Sequence, residues 1–112
     1  MQAGLEWTAQ VRRGVLEFCV LGLIRQRPAY GYELISRLAR WESLSINEGT
    51  LYPLLRRLQK DGMVESTWQE SDAGPVRKYY RLTPLGTERL QRMDREWNEV
   101  VRSVAEILAE RG

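Results

Sequence analysis

Histidine is absent from this chain, and cysteine occurs once, as Cys19. There is no imidazole for proton transfer, no ligand cluster for zinc and no second thiol for a disulfide, which excludes most hydrolase chemistry and a structural zinc site. A phosphate-cradling glycine loop, paired carboxylates in an apolar setting and a nucleophile motif are missing as well, so neither an enzyme nor a bound cofactor is expected. Long apolar runs are also lacking. The longest, Phe18 to Ile24, is far too short to cross a bilayer, and Met1 to Gly4 shows no signal-peptide pattern, so a soluble, cytoplasmic protein without membrane contact is expected. Nor does one sign of charge dominate, since 17 basic and 15 acidic residues leave a formal net charge of +2.

That total says nothing about partners, but its distribution does. Between Asn47 and Arg81 the basic residues fall into two short runs, Arg56, Arg57 and Lys60, then Arg77, Lys78 and Arg81, whereas the tail from Pro84 holds five Arg against six acids. A chain of 112 residues, 43% of them hydrophobic, suffices for one domain with a modest core plus an appendage.

The stretch Asn47 to Asp61, NEGTLYPLLRRLQKD, has the pattern of a helix with one face for a core and one for a polyanion. On a 3.6-residue period Leu51, Leu54, Leu55 and Leu58 share one side, with Gly49, Pro53, Arg56, Arg57 and Lys60 roughly opposite. Either Asn47 caps it, or Ser45 does, with Glu48 completing a capping box. Asp61 and Gly62 supply the C-terminal stop.

Before it, about Ala9 to Gln26 is helix-compatible and nearly continuously apolar in its second half, and Pro28 ends it. Gly31 to Arg40 places Leu34, Ile35 and Leu38 on one stripe of a short second helix, with Gly31 either permitting close approach of another helix or ending a loop. After Gly62, Met63 to Trp68 and Val76 to Thr83 suit two strands around a turn at Glu70 to Pro75, a two-stranded hairpin. Thr83 and Pro84 then form a favourable helix start. From there Leu90, Met93, Trp97, Val100, Val104 and Ile107 recur at spacings of 3 and 4, a coiled-coil-like seam that predicts a homodimer, the alternative being that it folds back on Val15 to Ile24. The fold class expected is mainly α with a small β-hairpin: a winged helix-turn-helix over residues 1–83 and a C-terminal dimerisation helix over 84–112.

LGLI at Leu21 to Ile24, YGYEL at Tyr30 to Leu34, EGTLYPLLRRLQKDG at Glu48 to Gly62 and RKYYRLTPLG at Arg77 to Gly86 resemble the PadR family of transcriptional regulators, in its compact branch with a single long last helix. The resemblance spans nearly the whole chain; one departure is Tyr30, where many members carry His. It implies a homodimeric regulator, usually a repressor, on an inverted-repeat operator of double-stranded DNA. A winged-helix module that binds protein, or a regulator of the multiple-antibiotic-resistance type, are the alternatives; the basic third helix weighs against the first, and the GTLYP and RKYYRLT blocks against the second.

The residues expected to meet DNA are Asn47, Thr50, Tyr52, Arg56, Arg57 and Lys60 on the third helix and Arg77 and Lys78 on the wing, with Arg57 equally able to pair with an acid. In multidrug-binding members of the compact branch a tryptophan in the place of Trp97 lines a hydrophobic pore between subunits. That resemblance suggests a small planar hydrophobic ligand near Val15, Cys19, Met93 and Trp97, although Trp97 serves equally well as a large seam residue. Cys19, inside an apolar helix, is expected to be inert.

Overall fold

The computed structural model of the protein describes residues 3–71 and 74–110. Four helices and three strands follow one another as α1 (Ala3–Gln26), β1 (Ala29–Tyr30), α2 (Gly31–Leu38), a single 3₁₀ turn (Glu42–Leu44), α3 (Glu48–Lys60), β2 (Val64–Ser71), β3 (Gly74–Leu82) and α4 (Pro84–Ala109). This is the mainly helical winged-helix arrangement that the order of sequence patterns predicts.

Several boundaries differ from expectation. Helix α1 begins at Ala3 instead of near Ala9, because nothing there terminates a helix; apolar periodicity does not report turns that bury little, and Trp7 is 66% exposed. Helix α2 stops at Leu38 instead of Arg40, with Ala39 as its C-cap. Of the expected turn from Glu70 to Pro75, Asp72 and Ala73 lie outside the described residues, while Glu70 and Ser71 belong to β2 and Gly74 and Pro75 to β3. The sheet also has three strands in the order β1-β3-β2, all antiparallel, instead of two. Ala29 pairs with Tyr80 and Tyr30 with Tyr79. A two-residue strand is too short to show any alternation, so only the pairing reveals it.

The core is a continuous apolar cluster. Leu16, Val20, Leu21, Leu23 and Ile24 of α1 meet Leu34 and Leu38 of α2, the four leucines of α3, Val64 and Tyr80 of the sheet, and Leu90 of α4. The leucine stripe of α3 is buried as its period requires. Each buried leucine of this kind contributes about 1.5–3 kcal/mol relative to exposure. Among the described residues, no buried side-chain nitrogen or oxygen lacks a hydrogen-bond partner.

One joint sets the relative placement of α3, the hairpin and α4. Helix α3 ends in a Schellman arrangement: Met63 N–H donates to the Leu58 carbonyl (2.9 Å) and Gly62 N–H to that of Gln59 (3.1 Å), with Gly62 at φ 78°. Thr83 then ties this end to the last helix. Its backbone N–H donates to the Met63 carbonyl (3.1 Å), its hydroxyl donates to the Gly62 carbonyl and accepts from Gly86 N–H (3.0 Å) as the N-cap of α4. Gly86 packs so closely that a Cβ there would fall onto the Met63 carbonyl oxygen.

Beyond this joint α4 runs for about 39 Å. Leu90 is buried and Met93 half-buried against the domain, with Phe18 and Trp97 in ring contact at 6.3 Å. Farther on, Val100, Val101, Val104, Ile107 and Leu108 have no cover, up to 79% exposure at Leu108. The seam is thus divided: its first part folds onto α1 of the same chain, and its second part is free.

Gly86→Ala is expected to cost at least about 2 kcal/mol, because backbone must move to admit the methyl. Gly22→Ala, where a Cβ meets nothing within 4 Å, should stabilise α1 by up to about 1 kcal/mol through helix propensity. Urea unfolding of both variants at one protein concentration tests the contrast; equal effects would show that the Gly86 contact relaxes freely.

Candidate nucleic-acid interface

Asn47 is the N-cap of α3: its side-chain oxygen accepts from Thr50 N–H at 3.0 Å. Ser45 instead closes the 3₁₀ turn in an extended conformation, which settles the two capping alternatives. Pro53 lies inside the helix, so the Gly49 carbonyl receives no N–H from residue 53, and α3 continues through it. The outward face therefore carries Gly49, Pro53, Arg56 and Lys60, all exposed.

The predicted DNA-contacting residues separate onto two flanks of this helix. Toward the wing, Tyr52 and Arg56 line a cleft of about 580 Å³ together with Arg77 and Lys78 of β3. Toward α1, Asn47, Thr50 and Arg57 line a second groove with Arg12 and Arg13. Lys60 borders neither and stands exposed in the last turn. Among the described residues no carboxylate pairs with Arg56, Lys60, Arg77 or Lys78.

Arg57 differs. Its guanidinium donates to Glu17 Oε1 of α1 at 3.0 Å, while Arg89 of α4 donates to Glu17 Oε2 at 3.2 Å, so one carboxylate ties three helices together. Pairing with an acid, one of the two roles open to Arg57, is the one adopted here. Arg81, the last cation of the second basic run, is likewise held by Glu65 across the hairpin at 2.9 Å.

Tyr52 stands at the edge of the leucine stripe with its ring on Gly31; a Cβ at Gly31 would lie 2.6 Å from the phenol carbons, so this is a glycine of close approach rather than a loop end. Burial, with Tyr52 nearby, raises the Tyr80 hydroxyl above the ordinary tyrosine range against the opposing pull of Arg56, which keeps it a neutral phenol. Sequence reasoning assigned no contact role to Tyr30, Tyr32 or Trp68, yet all three border the same cleft. The register Trp68↔Lys78 brings the indole there, strand β1 brings Tyr30 and the first turn of α2 brings Tyr32. Alternation along β2 could have put Trp68 on the Lys78 face only if that register were known.

The residues suggested for a ligand are not all brought together. Val15, Met93 and Trp97 share a shallow pocket with Gly14, Phe18 and Val100, about 190 Å³ in volume, less than a drug-sized molecule needs. Cys19 borders a different pocket, beside Trp41 and Leu44, and burial raises its thiol pKa, which leaves it protonated and unreactive.

The model of the transcriptional regulator PadR-like family matches residues 20–92. The chain belongs to the PadR-like family of transcriptional regulators. A PadR-like regulator from Bacillus cereus is 40% identical, with 91% of this chain and 99% of that one covered at a TM-score of 0.84. A PadR family regulator from Eggerthella lenta is 36% identical, with 95% and 92% covered at the same score. Among sequence relatives, a transcriptional regulator of Mycobacterium tuberculosis is 32% identical over 95 residues, 85% of this chain and 87% of that protein. PadR-like proteins are DNA-binding transcriptional regulators and not enzymes, and it is the family match itself that sets aside the multiple-antibiotic-resistance type. No helix among the described residues is long and apolar enough to cross a membrane.

Because Arg57 and Arg89 are 58% and 43% exposed, Glu17→Gln is expected to cost less than about 1 kcal/mol of stability. If α3 meets the duplex, it should also tighten duplex binding at low salt and steepen the salt dependence by up to about one unit, since it frees Arg57 and removes a carboxylate beside that helix. An unchanged slope would show that Arg57 does not reach a phosphate even when released.

Proposed function

We propose that the protein is a homodimeric PadR-type repressor that binds an inverted-repeat operator. Residues 1–83 are its winged helix-turn-helix and residues 84–112 its dimerisation helix. The observation that carries the DNA assignment is the convergence of Arg56, Arg77 and Lys78 on one cleft between α3 and the wing, with no carboxylate paired to any of them among the described residues. Three unneutralised cations held together are costly unless a polyanion faces them. Helix α3 then enters the major groove with Gly49 and Pro53 keeping its start slim, Arg56 and Lys60 reaching phosphates or guanine edges, and Asn47, Thr50 and Tyr52 near the strand at its entry. Arg77 and Lys78 take flanking phosphates from the wing.

Support for the dimer comes from the uncovered face of α4. Val100, Val104 and Ile107, with the exposed edge of Trp97, form an apolar strip along a helix whose own domain reaches only as far as the Phe18–Trp97 contact, and a second copy of the same strip is self-complementary across a two-fold axis. Leu90 takes no part, being already buried in its own chain, and Met93 contributes only its exposed edge. Release by a small planar hydrophobic ligand has one supporting observation, the pocket shared by Val15, Met93 and Trp97 at the start of the free strip. Its small volume requires the partner subunit to complete it.

Arg56→Ala and Lys78→Ala are each expected to weaken binding to all duplex sequences alike and to lower the salt slope by about one unit. A filter-binding titration measures this, and an unchanged slope removes the residue from the interface. Val104→Glu should yield a folded monomer in sedimentation equilibrium and lose high-affinity operator binding; a monomeric wild type would overturn the dimer. Quenching of tryptophan emission by flat aromatic compounds, abolished in Trp97→Ala, is the expected sign of the ligand, and no quenching across a varied panel would dismiss it.

A further inference from the structure

The cleft between α3 and the wing contains more than its cations. Five aromatic rings line it, those of Tyr30, Tyr32, Tyr52, Trp68 and Tyr80, and among the described residues no acid does. In a chain with 15 carboxylates that exclusion selects an anionic occupant. Two of the rings are largely bare, Tyr32 at 63% and Trp68 at 68% exposure, one at the start of α2 and the other on the wing. Three of the rings, Tyr30, Trp68 and Tyr80, stand beside the two wing cations. Arg77 lies 4.4 Å over the ring of Tyr30, which is itself braced edge-on by Tyr79 at 5.4 Å, and Lys78 stands 6.0 Å from Trp68 and 5.7 Å from Tyr80.

A duplex keeps its bases stacked. Outside the groove floor it therefore offers a protein phosphates flanked by the less polar faces of sugars. Cations interleaved with bare aromatic faces match that alternation, whereas a cleft for phosphates alone would need no exposed indole. We propose that this cleft seats the sugar–phosphate backbone of one DNA strand. Its phosphates meet Arg56, Arg77 and Lys78, and its sugars pack on Trp68 and Tyr32. Tyr30, in the two-residue strand β1, is the positioning residue that holds Arg77 at the wing. This assignment rests on the DNA-binding reading above and adds three residues that carry no charge.

The test is a salt titration of duplex binding, followed by fluorescence anisotropy, for the wild type, Trp68→Ala, Tyr30→Phe, Tyr30→Leu, Arg77→Ala and the Tyr30→Leu/Arg77→Ala double variant, with circular dichroism to verify folding. Trp68→Ala should weaken binding about tenfold at every salt concentration with the slope unchanged, as expected for a lost uncharged contact. Tyr30→Phe, which keeps the ring under the guanidinium, should bind like the wild type. Tyr30→Leu should weaken binding and flatten the slope as Arg77→Ala does, and should add nothing in the Arg77→Ala background. If the wild type binds duplex but Trp68→Ala and Tyr30→Leu do so equally well, or if the Tyr30 and Arg77 effects are additive, the cleft assignment is overturned while the DNA-binding reading stands. If the wild type binds no duplex, both fall.

Discussion

The close approach of Gly86 to the Met63 carbonyl is the constraint on which the rest of this structure depends. At that point the end of α3, the start of the hairpin and the start of α4 share a few backbone groups: Gly62 and Met63 carbonyls accept from Thr83, and Thr83 in turn caps α4. Backbone hydrogen bonds and a missing Cβ leave little angular freedom, unlike a joint made by side chains alone. The angle between α3 and the long last helix is thereby fixed within one chain. In a two-fold assembly through α4, that same angle would set the separation of the two copies of α3.

The charges follow a division of labour that composition conceals. Arg57, Arg81 and Arg89 are held by Glu17 and Glu65, and Arg27 by Glu33, so these four arginines are locally paired. What remains without a carboxylate partner among the described residues of the wing cleft is Arg56, Arg77 and Lys78, from two separate elements. Residues far apart in sequence thus make a local excess of charge that a net of +2 does not suggest.

The apolar surface is divided in a similar way. Most of it closes one core, but the last turns of α4 continue the same heptad-like spacing into solvent. A period of 3 and 4 tells which side of a helix is apolar, not how far along the helix its own domain reaches. Leu90 and Ile107 belong to one sequence pattern, yet the first is sealed inside the domain and the second is bare.

The sequence by itself determined the elements and their sense. Leucine spacing specified α3, Thr83 and Pro84 the start of α4, Asp61 and Gly62 the end of α3, and four motif blocks the family, because caps, stops and amphipathic periods are local properties. Only the tertiary structure decided which of two adjacent arginines is paired, that Gly31 is a seat for the Tyr52 ring, that Cys19 lies apart from Trp97, and that a third strand brings Tyr30 beneath Arg77. Each of these depends on strand register or on the crossing of two helices, and neither leaves a trace within a single stretch of chain.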